Sequence, residues 1–172
     1  MAHLVLTVVG DDRAGLVNAL ARTVSEAGGN WGQSELAELA GAFAGIVAVD
    51  IADARVAELT AALESLDGIL TVTIHSGSAP TAPQPEASRT LAFTVLGNDR
   101  PGIVRDVTAA IAAHALSIDT FRSRTLDAPM AGGTLFEASV EVRVPAHADA
   151  GEITRALEEL AGEIQVDLDV AL

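Results

Sequence analysis

Gly97-Asn98-Asp99-Arg100-Pro101-Gly102-Ile103-Val104 joins two hydrophobic patterns: an apolar, strand-like run stops at its first glycine, and helical apolar spacing starts at its second. The chain contains this stretch twice. Gly10-Asp11-Asp12-Arg13-Ala14-Gly15-Leu16-Val17 precedes it by 87 residues, and Thr7, Val8, Gly10, Asp12, Arg13, Gly15 and Val17 recur unchanged at that offset. A tandem duplication follows, which divides the 172 residues into two small domains.

Outward from the first copy, Leu4 to Val9 is an apolar, β-rich run that reads as a buried strand ended by Gly10. Leu16, Val17, Leu20, Val24 and Ala27 then keep helical spacing, with Asp12 as candidate N-cap and Gly28-Gly29 as the stop. Trp31 to Leu39 and Phe43 to Ile51 read as the next two strands. Asp53 is placed to cap a helix that buries Val56, Leu59, Leu63 and Leu66, and Ile69 to His75 forms a fourth strand. Around the second copy the same order returns: Leu91 to Leu96, a helix with Ile103, Val104, Val107 and Ile111 inward, then strands Ser117 to Leu126 and Thr134 to Val144. Asp149 with Glu152 resembles a capping box for a helix burying Ile153, Leu157 and Leu160 and ended by Gly162. Ile164 to Val170 alternates apolar and polar residues, as a half-exposed edge strand does, and offers a pairing surface to another sheet or chain.

The predicted fold is α+β: two ferredoxin-like β-α-β-β-α-β domains, residues 1–75 and 90–172, each an antiparallel sheet with helices on one face. Between them, 76–89 holds Pro80, Pro83 and Pro85 and reads as an extended linker.

Composition narrows the function. The formal charge is −14, all ten cations are Arg, and the acid excess divides evenly between the two domains. Direct binding to a nucleic-acid backbone or an anionic membrane is disfavoured. Cys and Lys are both absent, which removes disulfides, thiolate metal sites, thiol nucleophiles and Schiff-base lysines. No charged leader segment precedes the first strand and no apolar run reaches spanning length, so a cytoplasmic protein is expected.

The repeated turn is not a phosphate loop, since Leu16-Val17 and Ile103-Val104 stand where Lys and Ser/Thr would be required. It offers instead a helix N-terminus with free N–H groups, suited to the carboxylate of a free amino acid. Asp11, Asp12, Asn98 or Asp99 is then placed to accept from the ligand's ammonium group. A plainer reading makes Asp12 and Asp99 caps, Gly15 and Gly102 small packing residues, and Pro101 a first-turn proline. His3, His75, His114 and His147 lack metal-ligand spacing, and no Ser/His/Asp set emerges, so neither metal nor cofactor is expected. An RNA-binding domain of the same strand order would need stacking aromatics and basic strands, which this acidic, Tyr-free chain lacks.

Both copies resemble the ACT domain, a small amino-acid-sensing module, through Gly-x-Asp-Arg-(Pro)-Gly-(Ile/Leu)-Val after the first strand. The chain as a whole resembles the glycine cleavage system transcriptional repressor family, with Leu39 to Ala44 and Gly132 to Phe136 similar to that family's entries into the third strand. The resemblance implies amino-acid binding at interfaces between ACT domains. Carried onto this chain, it points to Asp11, Asp12, Arg13, Ala14, Gly15 and Leu16 with Asn30 and Trp31, and to Asn98, Asp99, Arg100, Pro101, Gly102 and Ile103 with Ser117 and Ile118. Ala14 stands where the pattern has Pro, which loosens the first turn and ranks the second ahead of it. The function expected is a non-enzymatic regulator that binds a small amino acid of the glycine or serine class. It would act as a homo-oligomer through protein contacts, in indirect control of transcription. The alternatives are a ligand-free dimerisation module and a detached regulatory subunit of an enzyme.

Overall fold

Leu4, Leu6 and Val8 are almost completely buried while Val5, Thr7 and Val9 between them are not, so the first apolar run forms a strand with one face inward: β1, Ala2–Asp11. The computed structural model describes residues 1–77, 88–114, 116–128, 132–145, 151, 155 and 164–169, and the chain divides into two units, Met1–Pro83 and Gln84–Leu172.

In the first unit β1 is followed by α1 (Leu16–Glu26), β2 (Asn30–Leu39), β3 (Ala42–Ile51), α2 (Val56–Glu64) and β4 (Thr71–Ser76). The second unit repeats the plan with β5 (Ser88–Asn98), α3 (Ile103–Ala113), β6 (Ser117–Asp127), β7 (Thr134–Pro145) and β8 (Ile164–Asp169). Each sheet is antiparallel with four strands, ordered β2-β3-β1-β4 and β6-β7-β5-β8. This is the ferredoxin-like α+β arrangement. A bulge in the second strand falls at the same place in both copies, between Trp31 and Ser34 and between Ile118 and Thr120. The edge position of β8 agrees with its alternating sequence. The residues named for the last helix, Asp149, Glu152, Ile153, Leu157, Leu160 and Gly162, lie outside the described residues, as do Val170 and most of 76–89.

Each core is a sheet face covered by helix. Leu6, Val47 and Val49 meet Leu20, Val24, Leu59 and Leu63 in the first unit. Phe93, Val95 and Val140 meet Ile103, Val107 and Ile111 in the second. The uncovered faces differ. Val5, Val9, Ala44 and Ile46 share the outer face of the first sheet with His3, Thr7, Glu35, Asp50 and His75, whereas Arg122, Arg124, Glu137, Glu141 and Arg143 share that of the second. Arg124 donates to Glu137 at 2.6 Å and Arg143 to Asp119 at 2.9 Å.

Several local expectations are corrected. Strand β1 does not stop at Gly10 but runs through Asp11, because Gly10 pairs with Phe43 and Asp11 with Ala42. Asp12 does not cap α1: the N-cap is Gly15 in the left-handed region, φ 94°, with no side chain bonded there. Gly102, φ 89°, does the same for α3, so Asp99 is no cap and Pro101 precedes the helix. Gly15 serves this backbone conformation rather than tight packing, since a Cβ on it would meet nothing within 4 Å. Asp53 opens a short 3-10 turn and accepts from the chain's amino terminus at 2.7 Å instead of capping. Val17 and Val104 leave the buried stripe, at 45% and 41% exposure.

A close approach explains one glycine of β3. Gly45 lies opposite Val8 on one side and Leu36 on the other, and a Cβ there would come within 2.1 Å of the Glu35 carbonyl oxygen.

Candidate functional site

The repeated turn is held at both ends in the same way. The Asp12 N–H donates to the Gly41 carbonyl at 2.9 Å, and the Asp99 N–H to the Thr134 carbonyl at 2.9 Å, which pins each turn to the hairpin after the second strand. Helical bonding begins only at the left-handed glycine, with Ala19 N–H to Gly15 at 2.9 Å and Asp106 N–H to Gly102 at 3.0 Å. Neither helix start carries a side-chain cap.

In the first unit the turn lines a cleft. Gly10 lies so close to the segment after α2 that a Cβ would sit 2.7 Å from the Ile69 carbonyl oxygen. Arg13 reaches the same segment and donates to the Gly68 carbonyl at 3.3 Å. Between turn and segment lies an open cleft of about 390 Å³, with Asp11 and Arg13 as its charged residues and Val9, Ala42, Ile69, Leu70 and Thr71 as walls. That volume falls in the range of small-molecule sites.

The two copies treat their common arginine differently. Arg100 Nη1 donates to Asp106 Oδ2 at 2.7 Å, and Arg105 donates to the other oxygen of the same carboxylate at 2.8 Å. Arg100 first, then Arg105, hold the Asp106 carboxyl below the usual aspartate range. The contribution of this latch is therefore complete above the unfolded aspartate pKa of about 4 and is lost as pH falls through the lower folded value. Carboxyl-carbon NMR should place the Asp106 midpoint below about 4 and move it upward in Arg100→Gln. An unchanged midpoint would show that Arg100 does not act on it. At the position corresponding to Asp106, the first unit has Ala19.

The remaining candidates do not gather at the turns within a unit. Asn30 and Trp31 pair with Asp50 and Val49, while Asp11 pairs with Ala42, so they lie at opposite ends of β3, roughly 23 Å apart along the strand. Ser117 and Ile118, opposite Arg143 and Val142, are likewise remote from Asn98, opposite Leu135. Trp31 packs half-buried on the first core and its indole N–H donates to Ser34 at 3.3 Å. Ile118 packs on the second core. Among the described residues no group of His, Asp and Glu could hold a metal. His3 instead bonds Asp50, and His75 lies 3.4 Å from Thr7.

Sequence reasoning missed Asp106 and the 68–71 segment. The first was visible as a charge gained at one position of the duplication, Ala19 against Asp106. The second comes beside the turn only through folding, 55 residues separating Arg13 from Gly68.

Known proteins share this architecture. Family models described as the ACT domain match residues 2–76 and 92–162. The glycine cleavage system transcriptional repressor of Escherichia coli K12 is 28% identical over 162 residues, 94% of this chain and 85% of the relative. The crystal structure of an unknown protein from Galdieria sulphuraria is 31% identical, with a TM-score of 0.85 over 99% of both chains. A crystal structure provisionally assigned as a glycine cleavage system transcriptional repressor has 22% identity and a TM-score of 0.73 over 98% of this chain and 96% of that one, a likeness of fold.

Proposed function

The chain belongs to the ACT-domain family, with two such domains in tandem, and on that footing we propose that it is a non-enzymatic, cytoplasmic regulator whose repeated turn binds a small amino acid of the glycine or serine class. It is an ACT-domain regulatory protein related to the glycine cleavage system repressor. The observation that carries the ligand reading is the cleft in which Asp11 and Arg13 meet the Gly68 to Thr71 segment. A free amino acid carries both charges on one carbon, and this cleft has an acid and a guanidinium beside apolar walls.

The net charge of −14 favours action on a protein rather than on nucleic acid, so a transcriptional role is indirect. Ligand binding alters activity only to the extent that it favours one of two arrangements of the protein or its oligomer. No helix among the described residues is long and apolar enough to cross a membrane.

Calorimetry with the common amino acids on the folded, full-length chain tests the reading. Saturable heat is expected with glycine or serine and little with acidic amino acids. Flat traces for every amino acid would remove ligand sensing and leave the interaction-module reading, which the half-exposed Val9 and Ile46 on the outer face of the first sheet favour.

A further inference from the structure

We infer that the two turns have diverged in function, on the premise of the amino-acid reading above: the first unit's cleft takes a small neutral α-amino acid, carboxylate on Arg13 and ammonium on Asp11, while Asp106 in the second unit occupies Arg100. Three differences between the copies point the same way.

The first is the state of the cation. Among the described residues Arg22, Arg55, Arg100, Arg105, Arg124 and Arg143 each meet a carboxylate within 3.0 Å. Arg13 has no ion pair there although the chain holds 24 acids; its contact is the long bond to the Gly68 carbonyl. A guanidinium has five donors, so most of Arg13 is available to a ligand carboxylate. Arg100 is already satisfied by Asp106, and a tethered carboxylate on the next turn of helix outcompetes a free one.

The second is the acid at the ammonium end. Asp11 lines the cleft, and its counterpart is the neutral Asn98. A zwitterion therefore finds both charges in the first unit. An acidic side chain on the ligand would be repelled by Asp11.

The third is the backbone. Both turns lead into the helix through a left-handed glycine, Gly15 or Gly102, so their backbones share one shape. Ala14, however, keeps an N–H that Pro101 lacks. The first turn thus presents one more donor than the second, and the ranking based on proline rigidity reverses.

Calorimetry of the full chain with glycine and with serine is the test. One molecule is expected per chain. Arg13→Gln should weaken binding at least tenfold, and Asp11→Asn, which copies the second unit, several-fold. Ala19→Asp, which rebuilds the latch beside Arg13, should weaken it at least tenfold, while Ala19→Asn, of the same shape without the charge, should stay within about threefold. Arg22→Gln, which removes a cation of the same helix, should leave the affinity within about twofold. Circular dichroism confirms that each variant is folded. Two equivalent sites per chain, undiminished binding by Arg13→Gln, or equal effects of Ala19→Asp and Ala19→Asn would overturn the inference while amino-acid sensing stands. Absence of binding by the unaltered chain would overturn the sensing reading itself, and this inference with it.

Discussion

Gly45→Ala lowers the stability of the first unit by about 2–3 kcal/mol, because a methyl group at this position has no room that a side-chain rotation can make. Its Cβ would fall 2.1 Å from the Glu35 carbonyl oxygen and 2.8 Å from the Leu36 Cα, both backbone atoms of the neighbouring strand. Strand β2 must therefore move away from β3 as a unit, and the pairs Glu35 with Ile46 and Leu36 with Gly45 loosen. The fold itself does not forbid alanine here. In the second unit Ala138 stands opposite Val95 just as Gly45 stands opposite Val8, and it is fully buried. The cost thus belongs to the close seating of β2 on β3 in the first copy. Native-state amide exchange resolves the two units residue by residue; faster exchange confined to β2 and β3 is expected. A loss below about 0.5 kcal/mol, the level of an inert surface change, would show that β2 shifts freely.

Leu20→Ala costs about 3 kcal/mol, and Val17→Ala less than about 0.5 kcal/mol, although helical spacing alone puts both on one buried stripe. Leu20 is fully buried in the cluster with Leu6, Val24 and Leu59, so truncation leaves a cavity as well as lost apolar burial. Val17 is 45% exposed and leaves neither. For a unit of roughly 80 residues, whose stability is of order 4–12 kcal/mol, the Leu20 loss is a large fraction of the whole. Urea denaturation of the two variants, compared with the unaltered chain, measures the difference. Similar losses from both would mean that Val17 is covered in solution, as by a second chain.

The duplication, the order of the described strands and helices, and most core positions were legible because they rest on periodicity, Val17 and Val104 being the exceptions. Leu6, Leu20, Leu59 and Val107 each occupy the face that their spacing assigns. The start of α1 was not, since Asp12 is an ordinary N-cap residue by type. Nothing in the local pattern says that β1 continues through Asp11 and that Gly15 turns left-handed before the helix begins. The turn could be named from sequence as a candidate site, but its cleft wall could not, because the 68–71 segment is brought there by the antiparallel pairing of β1 with β4. Asn30 and Trp31 illustrate the reverse: adjacent to the site in a family pattern, they are a strand's length from the turn of their own unit.

Trp31 has one further consequence. It is the chain's sole indole, there is no tyrosine, and it rests half-buried on the core of one copy only. Two domains that sequence makes near-twins are therefore optically unlike: emission excited near 290 nm comes from the first alone, while the peptide chromophore reports both, and the molecule carries its own label for which twin has come apart.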